Sequence, residues 1–209
     1  MNIVGILGTV HGDDVSRKKL GYPIEIMRDA IMDFKPDIIC GEVRPEDWEK
    51  YCNDKNYSGY LGPMEYRNLI LPYCKDNDVE FFPVDWFEDD LISFDYDRFC
   101  NEEEKNKLKK EINDRYEKIF YMAKKSTIPF NSFEFNELIY EKNQWLKSVD
   151  GVVHNVNWIV RNQIMVERIR KVIENKKGKR ILCTVGAEHV YFYYDELKKV
   201  DCTLIFPIK

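Results

Sequence analysis

Five short apolar runs, separated by longer segments with helical spacing, set the strongest constraint on how this chain folds. The runs cover residues 2–7, 37–43, 79–84, 180–185 and 203–208. Each has the length and the near-continuous apolar character of a strand that is buried on both faces of a parallel sheet. Strands that alternate with helices predict an α/β fold with a mainly parallel central sheet flanked by helices.

The segments between the runs carry helix signals. Pro23 precedes an apolar stripe at helical spacing, and Pro45 stands where another helix is expected to begin. Two highly charged helical stretches, separated by Pro129, interrupt the alternation. We therefore predict one α/β domain over residues 1–209 with a helical insertion at residues 101–146.

Composition disfavours several classes of protein. The 209 residues are 44% hydrophobic and 33% charged, with a formal net charge of −5, and this acidic balance argues against a nucleic-acid partner. No apolar stretch reaches the about 18 residues of a membrane span, and the N-terminus has no signal-peptide pattern, so we expect a soluble, cytoplasmic protein. The six cysteines include no CxxC pair, which disfavours a zinc ribbon or a disulfide framework.

An ionisable side chain follows each of the first four predicted strands. GTVH ends the first, GEVRPE the second, PVDW the third and VGAEH the fourth, which places His11, Glu42, Asp85 and His189 at strand exits. The carboxyl ends of parallel strands share one crevice, and ligands bind there. We therefore expect these residues to converge, with GILGTVH and ILCTVGAEH as neighbouring strands whose histidines face each other across the crevice.

Each of the three histidines lies three residues after a glycine. The glycines at the ends of the first, second and fourth predicted strands are Gly8, Gly41 and Gly186. They are expected to adopt backbone angles that other residues avoid and to leave space for a ligand. The third GxxH motif ends at His154 and follows a polar stretch instead of a buried strand. His154 is expected in a loop or at the start of a helix, and a place in the site stays open for it.

His11, His189 and Glu42 form a suitable ligand set for a divalent ion such as Mn, Co or Zn. Such an ion lowers the pKa of a bound water and polarises a substrate oxygen. Structural alternatives stay open: either histidine caps a turn or bonds a core carbonyl, Glu42 pairs with Arg44, and Asp85 caps a helix that begins at the next residue.

One helix carries polar residues where apolar ones are expected. Asn162 lies on the apolar stripe of the helix that runs through Trp158, and Arg161 lies at the edge of that stripe. Buried polar groups cost stability unless they are hydrogen-bonded, so contacts to the strand exits or to a substrate anion are expected. The alternative is a buried structural arginine that pairs with Glu42 or Asp85.

These motifs resemble those of the superfamily that contains TraB and pheromone-shutdown proteins, GumN, the Tiki proteases, ChaN and the erythromycin esterases. GTVH, the glutamate of GEVRPE, RNQIM and VGAEH occur in the family's order. The resemblance implies an α/β core whose active centre consists of His11, Glu42 and His189, as in Tiki-like metal-dependent proteases. It also implies that Arg161 and Asn162 are the arginine–asparagine pair of the RN..M element.

Together these observations predict a metal-dependent hydrolase for a peptide or ester bond in a small-molecule or peptide substrate. His11, Glu42 and His189 would hold the ion or activate water, and Arg161 would stabilise negative charge that develops on the substrate oxygen. Glu188 departs from the family pattern, which has a small residue there, and is an additional candidate ligand or base. The candidate substrate-binding residues are Arg44, Asp85, Asn162 and Glu188.

Three alternatives stay open. Without a metal, one histidine would act as a general base oriented by Glu42, as in the esterase-like members. ChaN-like members are associated with haem, which needs an axial ligand and a large apolar pocket. The aromatic run at residues 191–194, directly after His189, either lines such a pocket or packs in the core. A protein that keeps the scaffold but acts through its helical insertion as an interaction module is the third alternative.

Overall fold

The structure is a computed structural model that describes residues 1–54, 56–88 and 101–208. Its strands are β1 (Asn2–Thr9), β2 (Ile38–Gly41), β3 (Glu80–Pro83), β4 (Arg180–Gly186) and β5 (Cys202–Ile205). Its α-helices are α1 (Asp14–Lys19), α2 (Ile24–Phe34), α3 (Pro45–Asn53), α4 (Leu71–Asp76), α5 (Glu102–Lys125), α6 (Phe133–Val149), α7 (Gly151–His154), α8 (Arg161–Asn175) and α9 (Val190–Leu197). Two π-helical segments, Tyr66–Ile70 and Asn155–Val160, lead into α4 and α8, and a 3₁₀ turn, Ala187–His189, precedes α9.

The five strands form one all-parallel sheet in the order β3-β2-β4-β1-β5. This confirms the predicted α/β fold, and each of the five apolar runs overlaps one strand. β1 and β4 are neighbours, with Thr9 opposite Gly186, and Gly41 of β2 lies opposite Thr184 of β4. The chain therefore leaves β1, β2 and β4 at the same edge of the sheet.

Helices cover both faces of the sheet. On one face, α2, α4, α5 and α6 bury residues such as Met27 and Phe135 against the strands, and on the other face α8 and α9 bury residues such as Ile169 and Tyr193. The helix expected after Pro23 is α2, and α3 begins at Pro45 as predicted. Among the residues that the structure describes, no helix combines the length and the apolar composition needed to cross a membrane.

The predicted insertion consists of two helices, α5 and α6, and the turn between them is fastened to β1. The pairing of β1 with β5 ends at Gly5, so the later part of this edge of β1 has no strand partner among the described residues. The side-chain amide of Asn131 takes that place: its Oδ1 accepts from the N–H of Gly8 at 2.7 Å, and its Nδ2 donates to the carbonyl of Gly8 at 3.0 Å. The hydroxyl of Tyr22 donates to the same carbonyl at 2.7 Å.

We predict that Asn131→Ala lowers the free energy of unfolding by about 2 kcal/mol, because the N–H of Gly8 is left buried without a partner. Urea denaturation measures the change. Asn136→Ala is the matched control, since the Oδ1 of Asn136 has no hydrogen-bond partner in the described chain and its loss is expected to change stability by less than about 0.5 kcal/mol. Equal effects of the two substitutions would contradict this role of Asn131.

Candidate active site

A cavity of about 390 Å³ opens at the carboxyl edge of the sheet, above the ends of β1, β2 and β4. Strand exits and the start of α8 supply its polar lining, which includes Thr9, His11, Glu42, Arg161, Glu188 and His189. The convergence predicted for the two histidines and Glu42 is therefore present. Apolar side chains from α5, α6 and the turn between them form much of the remaining wall.

Glu42 lies at the centre of this group and is buried. Its Oε2 is 3.7 Å from the Nε2 of His11, and its Oε1 is 3.8 Å from the Nε2 of His189. The Nη2 of Arg161 donates to Oε1 at 2.7 Å, and the backbone N–H of Gly186 donates to Oε2 at 2.8 Å. Burial raises the pKa of Glu42, while the charges of His11 and Arg161 act in the opposite direction.

His11 is held by Glu65, a residue that sequence reasoning missed. Glu65 is 0% exposed, and its Oε1 lies 2.7 Å from the Nδ1 of His11. A carboxylate only accepts hydrogen bonds, so Nδ1 carries the proton and Nε2 faces the cavity. Burial lowers the pKa of His11, but the hydrogen bond that Nδ1–H donates to Glu65 and the charges of Glu42 and Glu65 outweigh it and raise that pKa above 6.5.

His189 is held by Asn162 instead of a carboxylate. The Nδ2 of Asn162 donates to the carbonyl of Trp158 at 2.8 Å, which turns its Oδ1 toward the Nδ1 of His189, 2.7 Å away. His189 therefore also carries its proton on Nδ1, and the Trp158 ring stacks on the imidazole at a centroid distance of 4.2 Å. Burial, followed by the charge of Arg161, lowers the pKa of His189 well below 6.5.

The two imidazoles thus present Nε2 to one cavity with opposite shifts of their pKa values. The His11 side chain is 42% exposed and its pKa is raised above the usual 6.5, whereas burial holds His189 neutral. Titratable groups whose environments move their pKa values apart are typical of acid–base sites. The difference follows first from the deeper burial of His189 and the cations near it, and then from the carboxylates of Glu65 and Glu42 beside His11.

Arg161 connects the exits of β2 and β3. Its Nε and Nη2 donate to Asp85 Oδ1 and Oδ2 at 2.8 and 2.9 Å, and Nη2 also reaches Glu42. Arg161 therefore binds both Glu42 and Asp85, the two carboxylates that the sequence suggested as its alternative partners. Nη1 has no hydrogen-bond partner among residues 1–54, 56–88 and 101–208, and Arg161 lines the cavity. The side chain of Asp85 is fully buried, and no helix begins directly after it in the part of the chain described.

Two other predicted substrate-binding residues have charged partners. Arg44 donates to Asp47 at 2.6 Å and stands over the ring of Phe87 at 4.3 Å, and it is not part of the cavity lining that the described residues form. Glu188 does line the cavity, where it pairs with the buried Lys142 of α6. Asn162, fully buried behind His189, positions that histidine.

Two further features of the sequence lie away from the cavity. His154 lies in the first turn of the helical stretch that begins at Gly151, which agrees with its expected place at the start of a helix. It is buried, with its Nε2 3.3 Å from Asn143 Oδ1, and it is not part of the cavity lining that the described residues form. In the aromatic run, Tyr193 is buried in the core, and Tyr191 and Tyr194 line a different cavity beside α6. The run therefore forms no wall around His189 of the kind that a haem pocket needs.

The two histidines suit a divalent metal ion as ligands, but Glu42 does not. Each imidazole donates its Nδ1–H to a protein oxygen and has Nε2 turned to the cavity, which suits a metal ligand. The oxygens of Glu42, however, are already bound by Arg161 and the N–H of Gly186. Within the described ranges, no three His, Cys, Asp or Glu side chains are grouped as a metal site. The expected ion stays a prediction that this arrangement does not support.

The glycines at the strand exits act through their size. Gly8, Gly41 and Gly186 do not have positive φ angles, so the expectation of unusual backbone angles is wrong for them. A Cβ at Gly186 would lie 2.7 Å from the Nε2 of His11, and one at Gly8 would lie 2.8 Å from Cγ2 of Val190. Glycine is required because neighbouring side chains approach the backbone closely.

Both π-helical segments border the site. The first follows Glu65 directly and begins with Tyr66, whose hydroxyl accepts from the N–H of Glu42 at 2.6 Å and donates to the carbonyl of Thr184 at 2.9 Å. The second contains Trp158. A π-helical turn changes the direction of the side chains that follow it and is frequent at functional sites. In the sequence, Glu65 could have been noticed only because it lies four residues before Leu69, on the same face of a predicted helix. An acidic residue on an apolar helix face is unusual.

We predict that Glu65→Gln lowers the pKa of His11, because a neutral amide does not stabilise the imidazolium. NMR titration of the histidine ring protons measures it, and only three histidines need assignment. Thr9→Val is the control, since the hydroxyl of Thr9 donates to the same carboxylate at 2.9 Å without supplying charge to His11. A titration midpoint that is unchanged in Glu65→Gln would show that another group raises the pKa of His11.

His189 is expected to weaken folding in acid. Its folded pKa is lowered, so below about pH 6.5 the unfolded chain binds a proton that the folded chain does not. The free energy of unfolding therefore falls as pH decreases from about 6.5. His11 acts in the other window: its raised pKa contributes stability that is lost as pH rises above about 6.5.

Urea denaturation at pH 7.5 and 5.0 tests this expectation. The loss of stability between the two values should be smaller in His189→Gln than in the wild type, whereas His154→Asn, at a second histidine with a lowered pKa, leaves the contribution of His189 in place. An identical loss in wild type and His189→Gln would contradict the neutral state of His189.

Comparison of the chain with protein-family models, with curated proteins and with solved structures finds no match. The resemblance to the superfamily of TraB and the Tiki proteases therefore stays a prediction that rests on four short motifs.

Proposed function

We propose that this protein is a hydrolase that cleaves an ester or amide bond by general-base activation of water, with His11 as the base. The observation that carries the proposal is the buried Glu65 carboxylate at 2.7 Å from the Nδ1 of His11, with the Nε2 of the same ring turned to the cavity. A histidine whose far nitrogen is held by a carboxylate is oriented and made more basic, as a general base requires.

In the proposed reaction, Nε2 of neutral His11 takes a proton from water as the water oxygen bonds to the carbonyl carbon. Glu65 stabilises the imidazolium that forms. The carbonyl oxygen becomes negative, and Arg161, whose Nη1 has no hydrogen-bond partner among the described residues, is a donor available to it in the cavity lining. When the carbonyl re-forms, the bond to the leaving group breaks, and the imidazolium gives its proton to the leaving oxygen or nitrogen, which departs as an alcohol or an amine.

His189 has a different part in this proposal. Its Nδ1–H donates to the Oδ1 of Asn162, so Nε2 carries a lone pair that accepts a hydrogen bond. Because its pKa is well below 6.5, it orients the water without removing the proton. Glu42, between the two rings, holds Arg161 in place and favours the protonated state of His11.

This mechanism corresponds to the metal-free alternative, with one change of residue. Glu65 takes the orienting role that the sequence suggested for Glu42. The proposed mechanism is closer to that of the esterase-like members of the superfamily than to that of the metal-dependent, Tiki-like members. The metal-dependent version is the competing form of the same hydrolase.

We predict that His11→Gln lowers kcat by about 10²- to 10⁴-fold, the usual contribution of a general base. Hydrolysis of small uncharged esters is measured by titrating the released carboxylic acid with base at constant pH. His154→Gln is the matched control, because it replaces a histidine that lies outside the cavity, and its rate is expected to equal that of the wild type. Equal hydrolysis by His11→Gln and wild type, both folded by circular dichroism, would refute the proposal.

The general-base and metal-dependent versions differ in their response to a chelator. Dialysis against EDTA is expected to leave the rate unchanged. Elemental analysis after exposure to Mn, Co and Zn is expected to give far less than one ion per chain. A rate that is lost with EDTA and restored by one of these ions, with binding abolished in His189→Ala and Glu42→Ala, would instead assign the water activation to a metal.

A further inference from the structure

A large part of the cavity lining is apolar and mostly aromatic. The helices α5 and α6 and the turn between them supply Ile119, Phe120, Phe130 and Phe135, and Trp158 closes one side. These rings also contact one another, with Phe130 edge-on to Phe120 at 6.4 Å and to Phe135 at 5.4 Å. Aromatic walls of this kind bind a further ring by offset or edge-to-face packing.

The charges around the cavity are already compensated. Arg161, the one arginine or lysine among the described residues that line the cavity, holds the two carboxylates of Glu42 and Asp85. Glu188 pairs with Lys142 behind the lining. A substrate carboxylate or phosphate would therefore find no uncompensated cation, and it would lie close to Glu42 and Glu188. Burial of an unpaired charge is costly, so this cavity disfavours anions.

The volume limits the size of the ligand. Small-molecule sites are typically about 300–1,000 Å³, and this cavity of about 390 Å³ lies near the lower end of that range. One six-membered ring with a short ester group is of suitable size. A folded or extended peptide of several residues is too large for it.

From these observations, and resting on the hydrolase function proposed above, we infer that the substrate is a small uncharged ester or amide that carries one aromatic ring. The ring packs against the wall formed by α5 and α6, and the carbonyl lies between His11 and Arg161. The helical insertion is then the part of the chain that determines specificity.

Binding is tested first, without turnover. The probe is 4-phenyl-2-butanone, the ketone analogue of benzyl acetate, and its affinity is measured by isothermal titration calorimetry. Phe120→Ala is expected to weaken binding about tenfold. Tyr121→Ala is the matched control, since Tyr121 is the next aromatic residue of α5, is 60% exposed and does not line the cavity. No binding by the wild type, or equal weakening by both variants, would overturn the inference.

Turnover is tested with esters of similar intrinsic reactivity. The ratio of kcat/KM for benzyl acetate to that for ethyl acetate is expected to be at least about tenfold in the wild type and to fall in Phe120→Ala. 4-Methylbenzyl acetate should be preferred about tenfold or more over 4-carboxybenzyl acetate, which is similar in size but anionic. If all these esters are hydrolysed with equal kcat/KM and only when His11 is present, the inference fails and the proposed function stands.

The opposite result separates the two proposals in the other direction. Suppose that the ketone binds and that Phe120→Ala weakens its binding, but that neither the esters nor N-benzylacetamide is cleaved. The hydrolase function then fails. The preference of the cavity for an uncharged aromatic ligand then stands alone.

Discussion

The ion-pair network around Arg161 is the interaction on which the rest of the site depends. Two carboxylates, Glu42 and Asp85, leave neighbouring strands and are buried at the edge of the sheet, where like charges without a partner would be unstable. The guanidinium of Arg161 binds both, at distances of 2.7 to 2.9 Å. Because α8 supplies this arginine, the network holds the helix against the exits of β2 and β3 and keeps Glu42 between the two histidines.

The two histidines show how the surroundings of one side chain decide its chemistry. His11 and His189 have the same tautomer and face the same cavity, yet burial and neighbouring cations lower the pKa of His189, whereas two carboxylates raise the pKa of His11. The partner of Nδ1 contributes to this difference, beside the deeper burial of His189. Glu65 stabilises an added proton, and Asn162 orients the ring without stabilising one.

The helices α5 and α6 are part of the site, although they interrupt the α/β pattern. Their turn is tied by Asn131 to Gly8, three residues before His11, and their aromatic side chains form the cavity wall. The same segment thus supports the strand that carries the proposed base and shapes the space beside it. In the function proposed above, the base lies at the exit of β1, whereas the specificity is assigned to the insertion.

Periodicity alone determined the five strands and the principal helices, and strand exits identified His11, Glu42 and His189, since parallel strands must bring their carboxyl ends to one edge. The polar Asn162 on an apolar stripe also marked a residue that faces the site. Only the tertiary structure decided that Glu65 holds His11, that Arg44 binds Asp47, and that insertion aromatics line the cavity. The physical reason is that sheet geometry follows from local patterns, whereas side-chain partners from distant helices depend on how those helices pack.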